Sequence, residues 1–221
     1  MDPTDAFLIY FRLATRYPHT QTHFLHFQDP YQCLIMTILS AQTTDATVNR
    51  VAPLLFERYP AADDLASADI LEVEEIIRPT GFYHAKARHI IGAAEAVVTR
   101  FSGRVPATMD ELLTLPGVGR KTANIVLHHA FGINAGVAVD THVRRLAQRI
   151  GFSASRNPDQ IEQDMMALFP ETLYGEITYV LIRHGREICS ARNPDCSACI
   201  LSDLCPYPGS DKERDQGKKA V

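Results

Sequence analysis

The sequence has 221 residues, a formal net charge of −4 and 46% hydrophobic residues, which suits a globular protein of one large or two modest domains. No apolar run approaches the roughly 20 residues needed to cross a bilayer, so no membrane partner is expected. The N-terminal segment lacks a basic leader and a small-residue cleavage site, which excludes a secretory signal. The composition therefore predicts an intracellular protein whose five cysteines are metal ligands or free thiols rather than disulfides.

Charge is unevenly distributed along the chain. Residues 61–75 contain six carboxylates and no basic side chain, whereas residues 115–151 contain five basic side chains and one carboxylate, that of Asp140. Attraction to phosphate depends on such a local patch rather than on the net charge of the whole chain. The pattern fits either two solvated helix faces or a basic surface for nucleic acid, and charge alone leaves both open.

The first half of the chain has the pattern of successive helices. Residues 5–18 predict a helix that carries Phe7, Phe11 and Ala14 on one stripe, and this stripe is expected to be buried. A later helix contains Pro53, where the missing N–H group predicts a break or a kink.

The second half continues in the same way. A long helix is predicted from about His84, a short one is capped by Thr108, and another begins at Asp140 as its N-cap and ends at Gly151. Residues 137–139 are the best candidate for a strand, but they are too few to found a sheet. The sequence therefore predicts an all-α fold.

A sharp turn interrupts the helices within LPGVGRKTANIVL, residues 115–127. The proline and the two glycines, Gly117 and Gly119, cannot continue a helix comfortably, and glycine lets the backbone approach another molecule closely. The helix that follows directs its first N–H groups and its positive dipole end out of the turn, which predicts an anion site. Arg120 and Lys121 favour a phosphate over a plain helix–helix turn.

This string resembles the helix-hairpin-helix signature of the DNA glycosylase superfamily, and most closely that of the endonuclease III family. The resemblance implies that Gly117, Val118, Gly119 and Arg120 bind the DNA backbone. Because polymerases, ligases and other nucleases also carry this motif as a binding module, the hairpin alone does not identify an enzyme.

The resemblance extends from the N-terminal helix to Cys205, and it implies two helical domains with the active site in a cleft between them. A six-helix domain with the hairpin would span residues 24–133. Residues 1–23 and 134–207 would form a second domain that carries an iron–sulfur cluster. The polar residues 208–221 are predicted to be a flexible tail.

Two residues are the candidate catalytic groups. With the hairpin alone in view, Lys121 could be a phosphate contact as well as a nucleophile. The resemblance implies that Lys121 attacks the sugar carbon bearing the damaged base and forms a Schiff base, which permits elimination of the 3′ phosphate. Asp140, which is also a helix cap, would stabilise the positive charge on the sugar as the base departs.

Two loops resemble the segments with which the family fills the gap left by an extruded nucleotide. Gln42, in LSAQTTD, would occupy the gap, and Phe82, in GFYHAKA, would be the second wedge. Without the resemblance, an ordinary loop glutamine and a core aromatic residue would be the preferred interpretations.

Four cysteines lie close together near the C-terminus with the spacing C-x6-C-x2-C-x5-C. Their thiolates could hold either tetrahedral zinc or an iron–sulfur cluster on chemical grounds. The spacing is similar at every position to that of the [4Fe–4S] cluster of the endonuclease III family. The cluster would also hold Arg192 toward the DNA backbone, and Cys33 is expected to be a small core residue. The four expected ligands are Cys189, Cys196, Cys199 and Cys205.

The resemblance as a whole implies a bifunctional DNA glycosylase and abasic-site lyase that removes oxidised pyrimidines. Its partner would be double-stranded DNA with damaged bases or abasic sites, and the enzyme would be a monomer in the cytoplasm, associated with the nucleoid. Two alternatives stay open: a glycosylase of the same superfamily with another target, such as mismatched thymine, uracil or adenine, and a non-catalytic DNA-binding module.

Overall fold

The structure is a computed structural model that describes residues 1–18 and 24–207. Within these ranges the chain forms eleven α-helices and two short 3₁₀ turns, and no strand. The predicted all-α fold is therefore confirmed. None of the helices in the described part is long and apolar enough to cross a membrane. The predicted tail at 208–221 lies outside the described residues.

The chain divides into two compact units, His23–Ala135 and the pair Met1–Thr22 with Gly136–Val221. That they are separate domains with the boundaries expected above stays a prediction.

The unit His23–Ala135 contains seven α-helices, of which α2 is central. Helix α2 has seven consecutive buried residues and packs against α3, α6 and α8, so a nearly continuous apolar sequence is enclosed on all sides. Cys33 lies fully buried in it, as predicted, and burial raises the pKa of its thiol to about 12. The helices are α2 (Pro30–Leu39), α3 (Asp45–Arg58), α4 (Ala62–Ala66), α5 (Ile70–Ile77), α6 (Tyr83–Phe101), α7 (Met109–Leu112) and α8 (Arg120–Phe131), with a 3₁₀ turn at Arg78–Thr80.

The other unit contains four α-helices around the last of them. Helix α11 has nine buried residues and packs against α1 and α9. A hydrogen bond from the Tyr10 hydroxyl to Glu176 joins α1 to α11. The helices are α1 (Pro3–Arg16), α9 (Thr141–Ile150), α10 (Pro158–Leu168) and α11 (Tyr174–Glu187), with a 3₁₀ turn at Glu171–Leu173.

The buried stripe predicted for the first helix is wrong. Phe7 and Phe11 are 48% and 61% exposed, and Ala14 is only half-buried. The buried face consists instead of four residues with equally good helical spacing, namely Ala6, Ile9, Tyr10 and Leu13. Two apolar stripes on one helix satisfy the same periodicity, and packing against α10 and α11 selects between them.

The break predicted at Pro53 is wrong, whereas a kink there stays a prediction, and the strand candidate at 137–139 is not realised. Helix α3 continues through Pro53 to Arg58 without a break, because the buried residues on either side of the proline keep the helix packed despite one missing hydrogen bond. Residues 137–139 form no strand. The N–H group of Ala138 donates to the Thr178 hydroxyl at 3.2 Å, so its acceptor is a side chain of α11 and not the backbone of a neighbouring strand.

Candidate functional site

The hairpin between α7 and α8 requires glycine at position 117. Gly117 has φ +76°, and a Cβ atom there would lie 2.8 Å from the Cβ of His89 on α6. The next residue, Val118, directs its side chain into the core, and its N–H group donates to Leu115 O at 3.2 Å. The turn is thus fixed by the core of its own unit, to which Val118 contributes its side chain.

The second glycine is not required by the fold. Gly119 has an extended backbone that any residue can adopt, and a Cβ atom there would meet nothing within 4 Å. As the N-cap of α8 it supplies no side-chain hydrogen bond to the helix. Lys121 is exposed in the first turn, directly after the half-buried Arg120. An open helix N-terminus with two cations beside it attracts anions such as phosphate.

Gln42 and Phe82 share an unusual backbone conformation. Their φ values are 53° and 48°, in the left-handed region that side chains other than glycine, asparagine and aspartate rarely adopt. Gln42 is exposed and Phe82 is 69% exposed, so Phe82 is not a core aromatic residue. Strained residues persist only where their surroundings hold them, and they concentrate at functional sites.

The surroundings that hold these two loops centre on Lys86, which sequence reasoning missed. Its ammonium group donates to the Thr43 hydroxyl and, at 2.9 Å, to Thr80 O. The Thr43 hydroxyl also donates to Thr80 O at 2.6 Å. The sequence did contain a sign of this role, because Lys86 aligns with the apolar stripe of α6. A lysine at a buried position needs hydrogen-bond acceptors within the core.

Asp140 is held rigidly at the start of α9. Its Oδ1 atom accepts hydrogen bonds from His142 N at 2.8 Å and Val143 N at 2.7 Å, which confirms the predicted cap. The preceding segment is anchored by the Ala138–Thr178 hydrogen bond. Asp140 is half-buried, and two backbone N–H groups restrain its carboxylate.

A neutral imidazole lies beside this carboxylate in sequence. Burial lowers the pKa of His142, while the charge of Asp140 opposes that effect. Arg145 approaches His142 Nδ1 at 3.1 Å, and because a guanidinium can only donate, Nδ1 is the acceptor. Arg145 also donates to Gly185 O and Cys189 O, which ties α9 to the cysteine segment.

The four cysteines predicted as metal ligands line one cavity, whose walls also include Ile150, Ile188 and Leu201. Burial, with the neighbouring thiols, raises the pKa of Cys205 to about 11. A metal centre offsets this cost because it binds the thiolate form. Within the described residues no three His, Cys, Asp or Glu side chains are grouped closely enough for a single metal ion. A [4Fe–4S] cluster takes one thiolate on each iron, and the four sulfur donors that line this one apolar cavity match that number.

Hydrogen-bond donors approach the sulfur atoms as well. Arg149 donates to Cys189 Sγ at 3.3 Å, and His184 Nε2 lies 3.3 Å from Cys199 Sγ. The other ring nitrogen of His184 contacts the Tyr17 hydroxyl at 3.1 Å, and burial lowers the pKa of this histidine to about 4. A neutral His184 therefore bridges α1 and the cysteine loop.

Arg192 lies exposed on the loop after Cys189. Arg149 holds this loop by donating to Ser190 O at 2.7 Å and Ala191 O at 2.9 Å. The guanidinium of Arg192 is thus carried by a backbone fixed to α9.

Comparison with protein-family profiles identifies two matching regions. Residues 35–171 match the HhH-GPD superfamily of base excision DNA repair proteins. Residues 189–205, which contain all four clustered cysteines, match the iron–sulfur binding domain of endonuclease III.

Similar proteins and solved structures agree with these profiles. Endonuclease III of Synechocystis sp. is 54% identical over 82% of this chain and 83% of the relative, and that of Escherichia coli K12 is 40% identical over 89% and 92%. A trapped endonuclease III–DNA covalent intermediate superimposes with a TM-score of 0.90 at 35% identity, covering 96% of this chain and 99% of the other. A thermostable thymine-DNA glycosylase reaches 0.82 at 26% identity, covering 92% and 96%.

The two hairpin glycines should respond differently to alanine. Gly117→Ala should lower the free energy of unfolding by about 1–3 kcal/mol, since it combines a positive φ with a clash against His89. Gly119→Ala should cost less than about 1 kcal/mol, the usual penalty of alanine at an N-cap. Urea unfolding of both variants measures the difference, and equal losses would contradict this description of the turn.

Proposed function

We propose that this chain, which belongs to the endonuclease III family of base excision DNA glycosylases and abasic-site lyases, removes oxidised pyrimidines through Lys121 and Asp140. Like its family it carries a [4Fe–4S] cluster. The observation that supports the residue roles best is the exposed lysine directly behind an open helix N-terminus.

The inventory of lysines favours Lys121 as the nucleophile. The chain has five, of which Lys212, Lys218 and Lys219 lie outside the described residues. Lys86 is 4% exposed and bonded to two oxygens, so its amine is not available to a substrate. Lys121 is exposed, and a related endonuclease III has been solved as a trapped covalent intermediate with DNA.

The reaction that follows begins with an uncharged Lys121 amine. Its nitrogen forms a bond to the sugar C1′, the bond from C1′ to the base breaks, and the base leaves with the electron pair and gains a proton. The bound nitrogen loses a proton, and its lone pair then forms a C=N bond as the bond from C1′ to the ring oxygen breaks. The ring oxygen gains a proton, and the adduct is now a Schiff base. Removal of a C2′ proton then expels the 3′ phosphate and cuts the strand. The Asp140 carboxylate stabilises the positive charge that develops on the sugar as the base departs.

The remaining residues bind the DNA in this proposal. The backbone at Gly117, Val118 and Gly119 contacts a phosphate, and Arg120 adds charge. Gln42 and Phe82 enter the duplex as the damaged nucleotide leaves the stack.

Arg192 contributes a more distant backbone contact. The substrate is double-stranded DNA with a damaged base or an abasic site. The protein acts as a monomer, and we place it in the cytoplasm in association with the nucleoid.

The four clustered cysteines hold the iron–sulfur cluster in this proposal. When bound, the cluster supplies iron–thiolate bonds that join the two ends of the segment 189–205, which has few apolar residues of its own. Arg149 and His184 orient the sulfur atoms of Cys189 and Cys199.

Replacing the nucleophile should separate binding from chemistry. Lys121→Gln is expected to bind an abasic-site duplex with unchanged order-of-magnitude affinity but to form no borohydride-trapped adduct, because an amide cannot make a Schiff base. Lys121→Arg, which keeps the positive charge, should also fail to be trapped. Digestion and mass spectrometry of the adduct of the unaltered chain should locate the sugar on Lys121, and normal trapping of Lys121→Gln would assign the nucleophile elsewhere.

Replacing the charge of Asp140 should slow base release without unfolding α9. Asp140→Asn keeps an N-cap acceptor, so its melting temperature should change little, whereas the loss of the negative charge should slow release of thymine glycol from duplex DNA about 100-fold. Asp140→Ser is the matched control, since it also caps the helix without charge and should behave alike. An unchanged rate for both variants would limit Asp140 to its structural role.

The cluster should depend on the clustered cysteines alone. Cys199→Ala is expected to lower the iron content and the visible absorbance of the purified protein, because one iron loses its thiolate. The control is Cys33→Ala, which removes the fifth cysteine from the core of the other unit and should leave the iron content unchanged. Full iron content in Cys199→Ala would contradict the ligand assignment.

A further inference from the structure

Lys86 is a charged group in an unusual position. Its side chain is 4% exposed on α6, in line with the core residues of that helix. Burial lowers the pKa of its ammonium group. Both acceptors described above, a threonine hydroxyl and a backbone carbonyl, are uncharged. An apolar side chain of similar length would fill this space at a lower desolvation cost.

The two acceptors belong to different loops. Thr43 follows Gln42 in the connection between α2 and α3, and Thr80 is the last residue of the 3₁₀ turn that precedes Gly81, Phe82 and α6. The Lys86 ammonium, the Thr43 hydroxyl and Thr80 O form a closed triangle of hydrogen bonds, because the hydroxyl accepts from the lysine and donates to the carbonyl.

Further hydrogen bonds attach both threonines of the triangle to the backbone just before them. Thr80 is 3% exposed and its hydroxyl donates to Ile77 O at 2.8 Å, while Thr43 N donates to Ser40 O at 3.1 Å. Each loop therefore enters the triangle from a fixed helix end. Gln42 directly precedes Thr43 and Phe82 lies two residues after Thr80. Both adopt the left-handed conformation and expose their side chains, as Ser102 does at the far end of α6.

We infer that Lys86 is a positioning residue, which fastens the loop of Gln42 to the loop of Phe82 so that both side chains enter the DNA together when the damaged nucleotide leaves the stack. The inference rests on the proposed function for the role of those two side chains. The buried ammonium group of Lys86 would set the distance between the Gln42 and Phe82 side chains. Its loss would then slow extrusion of the nucleotide rather than bond breaking at the sugar.

The consequence is a dependence on substrate form. A duplex must be opened before the sugar is reached, whereas a single-stranded abasic oligonucleotide presents its sugar without extrusion. Loosening the loops should slow reaction with the first substrate and leave reaction with the second nearly unchanged. A purely structural lysine would affect both equally.

The test compares Lys86→Met with the unaltered, cluster-containing protein. Methionine keeps most of the side-chain volume and removes the hydrogen bonds. Single-turnover release of thymine glycol from duplex DNA should fall about 10- to 100-fold, the cost of small misplacements in a site, while cleavage of the single-stranded abasic oligonucleotide should stay within about 2-fold. A proportional loss with both substrates would overturn the inference.

Thr43 provides a second pair of variants that decides the matter if Lys86→Met does not fold. Thr43→Val removes the shared hydroxyl and should reproduce the loss on duplex DNA, whereas Thr43→Ser keeps the hydroxyl and should retain activity. The matched control is Thr37→Val, because Thr37 is also a buried threonine of the same unit but its hydroxyl donates only to Cys33 O within its own helix. Equal behaviour of all three threonine variants would overturn the inference.

Hydrogen–deuterium exchange separates this inference from the proposed function. In Lys86→Met the backbone amides of residues 40–44 and 79–83 should lose protection together, with α8 unaffected. Coupled loss of protection in a protein that cuts no damaged DNA would refute the proposed function and leave the fastening of the loops intact. Independent exchange of the two loops would refute the fastening even in an active enzyme.

Discussion

The site depends on one constraint, which is that the first backbone N–H groups of a helix need acceptors. In seven helices of the described ranges the preceding Asp, Asn or Thr side chain supplies one. The other four helices, α4, α6, α8 and α11, begin after residues whose side chains supply no such bond. Two of these four helix ends, those of α6 and α8, carry most of the contacts proposed for DNA. Helix α9, by contrast, is capped by the proposed catalytic carboxylate itself. The hydrogen bonds that satisfy its first N–H groups also fix the position of Asp140.

The core of each unit serves to hold short functional segments rigidly. In the unit His23–Ala135, α2 is enclosed by its neighbours and leaves them little freedom, so the hairpin and the two strained loops are attached to fixed helix ends. In the other unit, guanidinium groups replace part of the apolar packing. Arg145 and Arg149 connect α9 to the backbone around Cys189, in a segment too polar to fold around a core of its own. In the proposed function, Gln42 and Phe82 enter the duplex, and loops attached to packed helices would hold these side chains in place as they do so.

Much of this arrangement could be predicted from sequence, because its signals are local. Caps, glycine turns and cysteine spacing involve residues a few positions apart, and Asp140, Gly117 and the four clustered cysteines were all identified in this way. The face of α1 could not be chosen, since Phe7 and Ile9 belong to stripes of equal periodicity and only tertiary packing distinguishes them. The triangle around Lys86 was also out of reach, because its members come from loops far apart in the chain.

The inward orientation of Val118 has a consequence for how such a protein would search a genome. With the Val118 side chain turned into the core and no side chain on Gly117 or Gly119, the tip of the turn carries no side chain that could contact a base. Contacts from peptide groups to the sugar–phosphate backbone do not depend on the base sequence. Such contacts would form equally at any position along the DNA, so discrimination of damaged sites would fall to the residues proposed to enter the duplex, Gln42 and Phe82.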